Sequence, residues 1–446
     1  MTEPSAKAAA APDGGTGGRA LLGRALERIC GGGQGYRFVL LRETPLDAGA
    51  IDAGDIDVLG RRSDVRSLVA HLDRLCHELG LDLGVERTGP RKTRVTLYAR
   101  DSGQTVELDL WTDLWQLEAG RMALRWSDVA GLCRGDAGIV RLPPVVEAAV
   151  YLEHLHAKRK DLASFAVQSR VAHYAARLRA EGAALSDVFE RLAARPPIAL
   201  AREDLAAAAD TLARSLGSGV RRRAPFRKIQ DLAQRFESRR LQPPAHARAI
   251  AFVGPDGIGK STLAKALAAG GEWDEHVLGK SLYRRSLVFR GLYKLNRALG
   301  APVSQERIDE ALCGLAYVVA TLRLRRRLGV DSGRGLILDR YLGDFLYVGR
   351  KGDWPRFRGE WLARLCYVDV PVVHFTAPHA RLAQRKQEIS APAHARFDTD
   401  MTRFYSERPR VGYLRVENGG SVEDALARLR MLLGAQGAAA HHGPAE

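Results

Sequence analysis

At 446 residues the chain is too long for one ordinary core and should divide into roughly two or three domains. Hydrophobic residues make up 46% and charged residues 27%, which excludes the disordered and fibrous classes. The formal charge of +16, with Arg well ahead of Lys, suits polyanionic partners such as nucleotides, nucleic acid or phosphorylated glycans, and equally suits solvated basic helix faces.

Residues 1–19 (TEPSAKAAAAPDGGTGG and its flanks) lack periodicity and are expected to form a disordered tail. Residues 20–142 mix helices and strands. A short helix precedes the strand Tyr36 to Leu41, and a second strand is DIDVLG, Asp55 to Gly60. A helical stretch, Ser63 to Leu79, leads to the strands RVTLYAR and TVELDLW, joined by the turn DSG.

Because side chains alternate along a strand, Asp55 and Asp57 point to one face, and on the later strand Asp109 shares a face with Glu107. Three carboxylates on neighbouring strands can hold two Mg²⁺ ions, as phosphoryl and nucleotidyl transfer require. Together with LLRETPLDAGAIDAGDIDVL and the downstream LEHLHAKRKDLASF, this pattern resembles the DNA polymerase β-like nucleotidyltransferase superfamily over about Tyr36 to Phe165. The resemblance implies that Asp55, Asp57 and Asp109 are metal ligands, with Lys158, Arg159, Lys160 and Asp161 on a following helix. It departs from the family in one element: Gly54 precedes Asp55 without the serine of a triphosphate-gripping Gly-Ser loop. An ordinary half-buried strand with an acidic outer face is the structural alternative.

Residues 143–240 read as a helical region, with Ala, Leu and Arg at three- and four-residue spacing. Two prolines in LQPPAHA, Leu241 to Ala247, mark a linker. From 248 to 435 strands and helices alternate as in a parallel α/β domain: AIAFVG, a helix from Lys260, a long helix Gln305 to Leu328, GLILD, VPVVHFT, YLRVEN and a last helix from Val422 to Leu433. Residues 436–446 are expected to form a second disordered tail, in which a chance pair is the preferred reading of His441 and His442 over a metal site.

GPDGIGKS, Gly254 to Ser261, has the spacing G-x-x-x-x-G-K-S between a buried strand and an amphipathic helix. Glycines at 254, 257 and 259 let backbone N–H groups approach phosphates, and the helix start adds its dipole. Lys260 would reach the β- and γ-phosphates of ATP, Ser261 would ligate Mg²⁺, and Thr262 completes the nucleotide-binding set. With LAYVVATLRLRRRL, GLILDRY, VHFTAPHARLAQRKQE and GYLRVENGGSVEDALARLRMLL in order, the segment Ala249 to Leu433 resembles the thymidylate kinase-like P-loop kinases. That resemblance implies a three-layer parallel-sheet fold, with Asp256 facing the acceptor sugar, Asp339 near Mg²⁺, Arg340 on the acceptor phosphate, and Arg381 and Arg385 closing over the transferring group. Structural rivals are a buried Asp339–Arg340 salt bridge and a solvated basic face bearing Arg381, Arg385 and Lys386; Tyr341 and Phe345 read as core. The family's Arg-Glu-Pro-Gly acceptor segment is replaced by HVLGKSLYRRSLVFRGLYKLNRALG, whose Lys280, Arg284, Arg285, Arg290 and Lys294 suit a larger anionic acceptor or an exposed helix face.

The expected architecture is therefore α/β: a P-loop kinase domain preceded by an α+β nucleotidyltransferase-like domain and a helical region. The expected activity is ATP- and Mg²⁺-dependent transfer of the γ-phosphate to a nucleoside monophosphate or a sugar or glycan. The alternatives are nucleotidyl transfer at the aspartate triad, or an ATP-switched regulator binding nucleic acid through Arg221, Arg222, Arg223 and Lys228. Cys30, Cys76, Cys133, Cys313 and Cys366 are scattered, with no CxxC pair, so neither a zinc site nor a disulfide framework is indicated. The longest apolar run, Ala311 to Leu322, falls short of the roughly 20 residues of a membrane span. A cytoplasmic enzyme with no membrane partner is expected, and a homodimer is compatible with the sequence.

Overall fold

The structure is a computed structural model. It describes residues 14–31, 35–42, 55–89, 91–100, 102–116, 123–133, 138–157, 159–182, 185–194, 200–216, 248–278, 287–298, 300, 303–330, 333–348, 355–385, 390–406, 412–418 and 420–430. Residues 1–13 and 431–446, the linker 241–247, and Gly54, Lys158, Arg221, Arg222, Arg223, Lys228, Lys280, Arg284, Arg285 and Lys386 lie outside the described residues. The chain divides into two units, one of Met1–Leu81 and Arg91–Gln230, the other of Asp82–Pro90 and Asp231–Glu446. Each is a mixture of helices around a multi-stranded sheet.

In the first unit, helix α1 (Gly14–Cys30) begins inside the stretch expected to be a tail. The sheet has the order β4–β5–β2–β1–β6, from β1 (Arg37–Leu40), β2 (Ile56–Gly60), β4 (Lys92–Ala99), β5 (Thr105–Thr112) and β6 (Gly138–Arg141). Antiparallel β4–β5 is the expected hairpin, whereas β2 and β5 run parallel, with Asp57 opposite Asp109. β2 is buried along its whole length, unlike the half-buried strand with an acidic outer face of the structural alternative. Helix α2 (Arg62–Leu79) buries Val65, Leu68, Val69, Leu72, Leu75 and Cys76, a three- and four-residue stripe, and stops at Gly80 in the left-handed region.

Among the described residues four helices follow: α3 (Pro144–Ala157), α4 (Phe165–Ala180), α5 (Ser186–Ala194) and α6 (Arg202–Leu216). They share one apolar core with the sheet, in which Val39 and Leu59 join Tyr151, Tyr174 and Phe189. The Tyr174 ring lies 5.3 Å from that of Tyr151 and 5.4 Å from that of Phe189. Proline at the first position of α3 suits a helix start, where its missing N–H has no helical acceptor.

In the second unit, β7 (Ala249–Val253), β8 (Trp273–Val277), β9 (Gly335–Asp339), β10 (Val372–Thr376) and β11 (Gly412–Glu417) form a parallel sheet in the order β8–β9–β7–β10–β11. β7, β9 and β10 are buried throughout, matching their continuous apolar sequences. Its helices include α7 (Lys260–Ala269), α8 (Leu287–Ala298), α9 (Gln305–Leu328), α10 (His379–Arg385), α11 (Ala391–Ser406) and α12 (422–430). The long α9 has the predicted bounds; Ser304 caps it by accepting from the Arg307 amide, and Arg325, Arg326 and Arg327 sit in its negative last turn.

One strand of this sheet comes from far upstream. β3 (Leu81–Gly89) pairs antiparallel with β11, Val85 opposite Tyr413. Buried Asp82 lies 3.7 Å from the Arg428 guanidinium on α12.

Candidate functional sites

The loop between β7 and α7 is built by its glycines. Gly254, Gly257 and Gly259 have φ of 144°, 86° and 98°, conformations costly for residues with a Cβ. A Cβ on Gly254 would also stand 2.6 Å from the Phe375 carbonyl oxygen. Asn418 braces the loop by donating from Nδ2 to the Ile258 carbonyl at 2.6 Å.

Lys260, the first residue of α7, is almost fully buried, and its Nζ donates to the Gly254 and Pro255 carbonyls at 2.7 and 2.8 Å. Burial holds its ammonium below the ordinary value of 10.5, with Asp344 and Asp256 acting in the opposite sense. Ser261 donates from Oγ to Asp339 Oδ2 at 2.6 Å, joining the start of α7 to the end of β9. Asp339 Oδ1 is buried without a hydrogen bond. Arg340 has φ of 79° and donates to Asp256 Oδ1 at 3.0 Å, and both side chains are exposed.

Thr262 is exposed on α7 and Arg381 is exposed on α10. Arg385 ends α10, and its side chain lies outside the described residues. Tyr341 and Phe345 are buried core residues. The structure thus gathers Lys260, Ser261, Asp339, Arg340 and Asp256 around the glycine loop.

The first unit carries a separate cluster. Asp55, Asp57 and Asp109 each present a carboxylate oxygen, and these atoms lie within 4.8 Å of one another. Asp57 and Asp109 meet because β2 and β5 are parallel neighbours in matching register, and Asp55 lies just before β2 on the Asp57 face. Asp109 is fully buried and Asp57 nearly so. Burial pushes the Asp109 carboxyl up to about 6, against the lowering effect of Lys92 and with a further raising contribution from Asp57. At Asp55 burial also acts to raise the carboxyl, but Arg42 and contacts with Asp109 and Lys92 bring it below the ordinary 3.8.

Three cations missed by the sequence reading face this cluster. Arg42, just beyond β1, is in ion-pair contact with Asp57, lies 3.8 Å from Asp55, and shares a 3.1 Å contact with His154 Nε2 on α3. Burial alone would lower its guanidinium, but Asp57 and Asp55 outweigh it and raise it. Lys92 forms an ion pair with Asp109, and Arg94 donates from Nε to Asp109 Oδ1 at 3.1 Å and lies 3.6 Å from Glu107. Trp111 donates from Nε1 to Asp57 Oδ1 at 2.9 Å, with Lys92 Nζ 5.1 Å from its ring centroid. Arg159, Lys160 and Asp161, expected on a following helix, instead lie in the connection between α3 and α4, where Arg159 has φ of 46° and Lys160 and Asp161 are exposed.

An all-oxygen set of carboxylates fits a hard divalent cation such as Mg²⁺. The approach of carboxylate oxygens from all three aspartates to within 4.8 Å of one another supports that fit. Among the described residues no helix is long and apolar enough to cross a membrane. The five cysteines are free.

No family model and no curated protein sequence matches the chain. Solved structures similar to it include thymidylate kinase from Candida albicans, at 14% identity over 43% of this chain and 92% of that one, with a TM-score of 0.30. A gluconokinase from Sinorhizobium meliloti 1021 shows 15% identity over 45% of this chain and 100% of its own, with a TM-score of 0.25. Thymidylate kinase from Ehrlichia chaffeensis shows 13% identity over 43% and 98% of the two chains, with a TM-score of 0.27. The similarity to these kinases is distant, and at such scores it leaves function to the chemistry of the two sites.

Proposed function

We propose that the first unit is a divalent-metal-dependent nucleotidyltransferase centre with Asp55, Asp57 and Asp109 as its ligands. The convergence of three carboxylates within 4.8 Å, one of them fully buried, carries this reading. Mg²⁺, when bound, supplies positive charge against the negative charge that develops on the transferring phosphoryl group. In the reaction an acceptor oxygen bonds to the α-phosphorus of a nucleoside triphosphate, the bond from that phosphorus to the bridging oxygen breaks, and pyrophosphate leaves. The acceptor's proton goes to solvent. The chain's own contribution is to hold the carboxylates on two hydrogen-bonded strands, so that little reorganisation is needed. Acceptor-dependent pyrophosphate release from Mg²⁺-nucleotides in a cell extract tests it. Asp57→Asn and Asp109→Asn are expected to cut the rate at least about a hundredfold; equal rates in both variants and the parent would contradict it.

A second reading is favoured by a different observation, the Ser261–Asp339 hydrogen bond beside buried Lys260. We infer a P-loop phosphotransferase centre in the second unit, within a three-layer parallel-sheet kinase fold. Lys260 would turn from the Gly254 and Pro255 carbonyls to the β- and γ-phosphates of ATP, while Ser261 and Asp339 hold Mg²⁺ and its waters. Arg340 and Asp256 face the acceptor, a nucleoside monophosphate or a sugar or glycan, and Arg381 and Arg385 close on the transferring group. Transfer from γ-labelled ATP to such acceptors should disappear in Lys260→Ala; label transfer that persists in that variant would overturn this second reading.

A further inference from the structure

We propose that Arg42, Lys92 and Arg94 are the binding residues for the triphosphate chain of the nucleotide, engaged when a metal ion takes the aspartate triad from them. The inference rests on the nucleotidyltransferase reading of the first unit. It takes that reading to a substrate class and to residues that replace the missing Gly-Ser loop.

Charge balance comes first. Asp55, Asp57 and Asp109 carry three formal negative charges, and Arg42, Lys92 and Arg94 carry three positive ones against them. Glu107, 3.6 Å from Arg94, adds a fourth negative charge, so a divalent cation entering the cluster turns a net charge of minus one into plus one. A carboxylate oxygen bound to a metal gives up negative charge and a lone pair to it, which weakens its hold on an ammonium or guanidinium.

The displaced cations cannot move far. Lys92 and Arg94 are two apart on β4, hence on one face, and the strand register fixes Arg94 opposite Asp109 and Lys92 opposite Trp111. Arg42 is largely buried and held at its other side by His154. A partly buried cation whose ion pair is weakened gains from a new anion, so the metal-loaded site favours one. Two planar guanidiniums and one ammonium beside a metal suit a flexible chain of several phosphates, because each guanidinium can take two oxygens at once. Metal and nucleotide should therefore each strengthen binding of the other.

Trp111 supplies a local readout. Its indole N–H bonds Asp57 and its ring lies under Lys92, so both halves of the exchange change its surroundings. The chain has six tryptophans, and the fluorescence change absent from Trp111→Phe isolates this one.

The experiment titrates the full chain with Mn²⁺, then with ATP or inorganic tripolyphosphate at saturating Mn²⁺, following the Trp111-dependent signal. Lys92→Gln and Arg94→Gln should each bind Mn²⁺ more tightly, because a competing cation is gone. Each should bind ATP about tenfold more weakly, the worth of one charged hydrogen bond, and Lys92→Arg should restore much of it. Tripolyphosphate should share the dependence on Lys92 and Arg94, with ATP the tighter ligand. Tighter Mn²⁺ binding with unchanged ATP affinity in both glutamine variants would overturn the proposal, reducing these residues to neutralisers of the triad. Tripolyphosphate binding without ATP binding would overturn the nucleotide assignment. A Mn²⁺ response that survives Asp57→Asn and Asp109→Asn would instead remove the metal centre itself.

Discussion

Single residues in this chain hold conformations and ionisation states that their neighbours impose. Gly254 combines a φ of 144° with a backbone carbonyl 2.6 Å from where a Cβ would stand. Gly254→Ala should therefore cost about 1–3 kcal/mol and weaken ATP binding, as urea titration and calorimetry would read; unchanged stability would show that the loop relaxes freely. His394 illustrates the ionic side. Burial holds its imidazole below the ordinary 6.5, with Asp398 opposing and His379, His374 and Arg415 reinforcing. The unfolded chain then takes up the proton more readily, so this stability is present above pH 6.5 and is lost as pH falls through the lower folded value. The urea midpoint should drop on acidification below 6.5, and His394→Gln should flatten that part of the profile; an identical slope in the variant would assign the effect elsewhere.

Elements differ in how far their own sequences announce them. The runs AIAFV, GLILD and VVHFT are continuous and apolar, and each is a fully buried parallel strand. The glycine loop was legible because a spacing of a few residues encodes it. The aspartate triad was legible because strand alternation puts Asp55 and Asp57 on one face, although its cationic half was not. Arg94 faces Asp109 through the β4–β5 register, and Arg42 arrives from the end of another strand, so neither contact is written in local spacing. Strand β3 was hidden for a similar reason. Its Asp and Gly disfavour strands, and Asp82 is balanced by Arg428 on the last helix. β8, sequence WDEHV, likewise lacks an apolar pattern and is only half buried. Val85→Asp in β3 should thus weaken the sheet of the second unit by about 3 kcal/mol and impair Lys260-dependent ATP binding. Native ATP affinity and an unchanged urea midpoint would mean that β3 is dispensable there.

At the scale of the whole molecule, the two proposed centres would handle phosphate by different means. One presents carboxylates to a metal on two parallel strands; the other presents a glycine loop, a buried lysine and a serine–aspartate pair at the start of a helix. The excess positive charge of +16 is compatible with polyphosphate ligands, which both proposals require. The two chemistries break different bonds of the same nucleotide, and that makes them separable in one tube. ATP labelled with distinct isotopes at the α- and γ-phosphates, supplied with Mg²⁺ and a cell extract, follows both at once. Transfer of the α-label should be lost in Asp57→Asn and Asp109→Asn and kept in Lys260→Ala, with the γ-label showing the reverse. Transfer of the α-label that survives loss of the aspartates, or that fails with Lys260 alone, would contradict the assignment of nucleotidyl transfer to the triad.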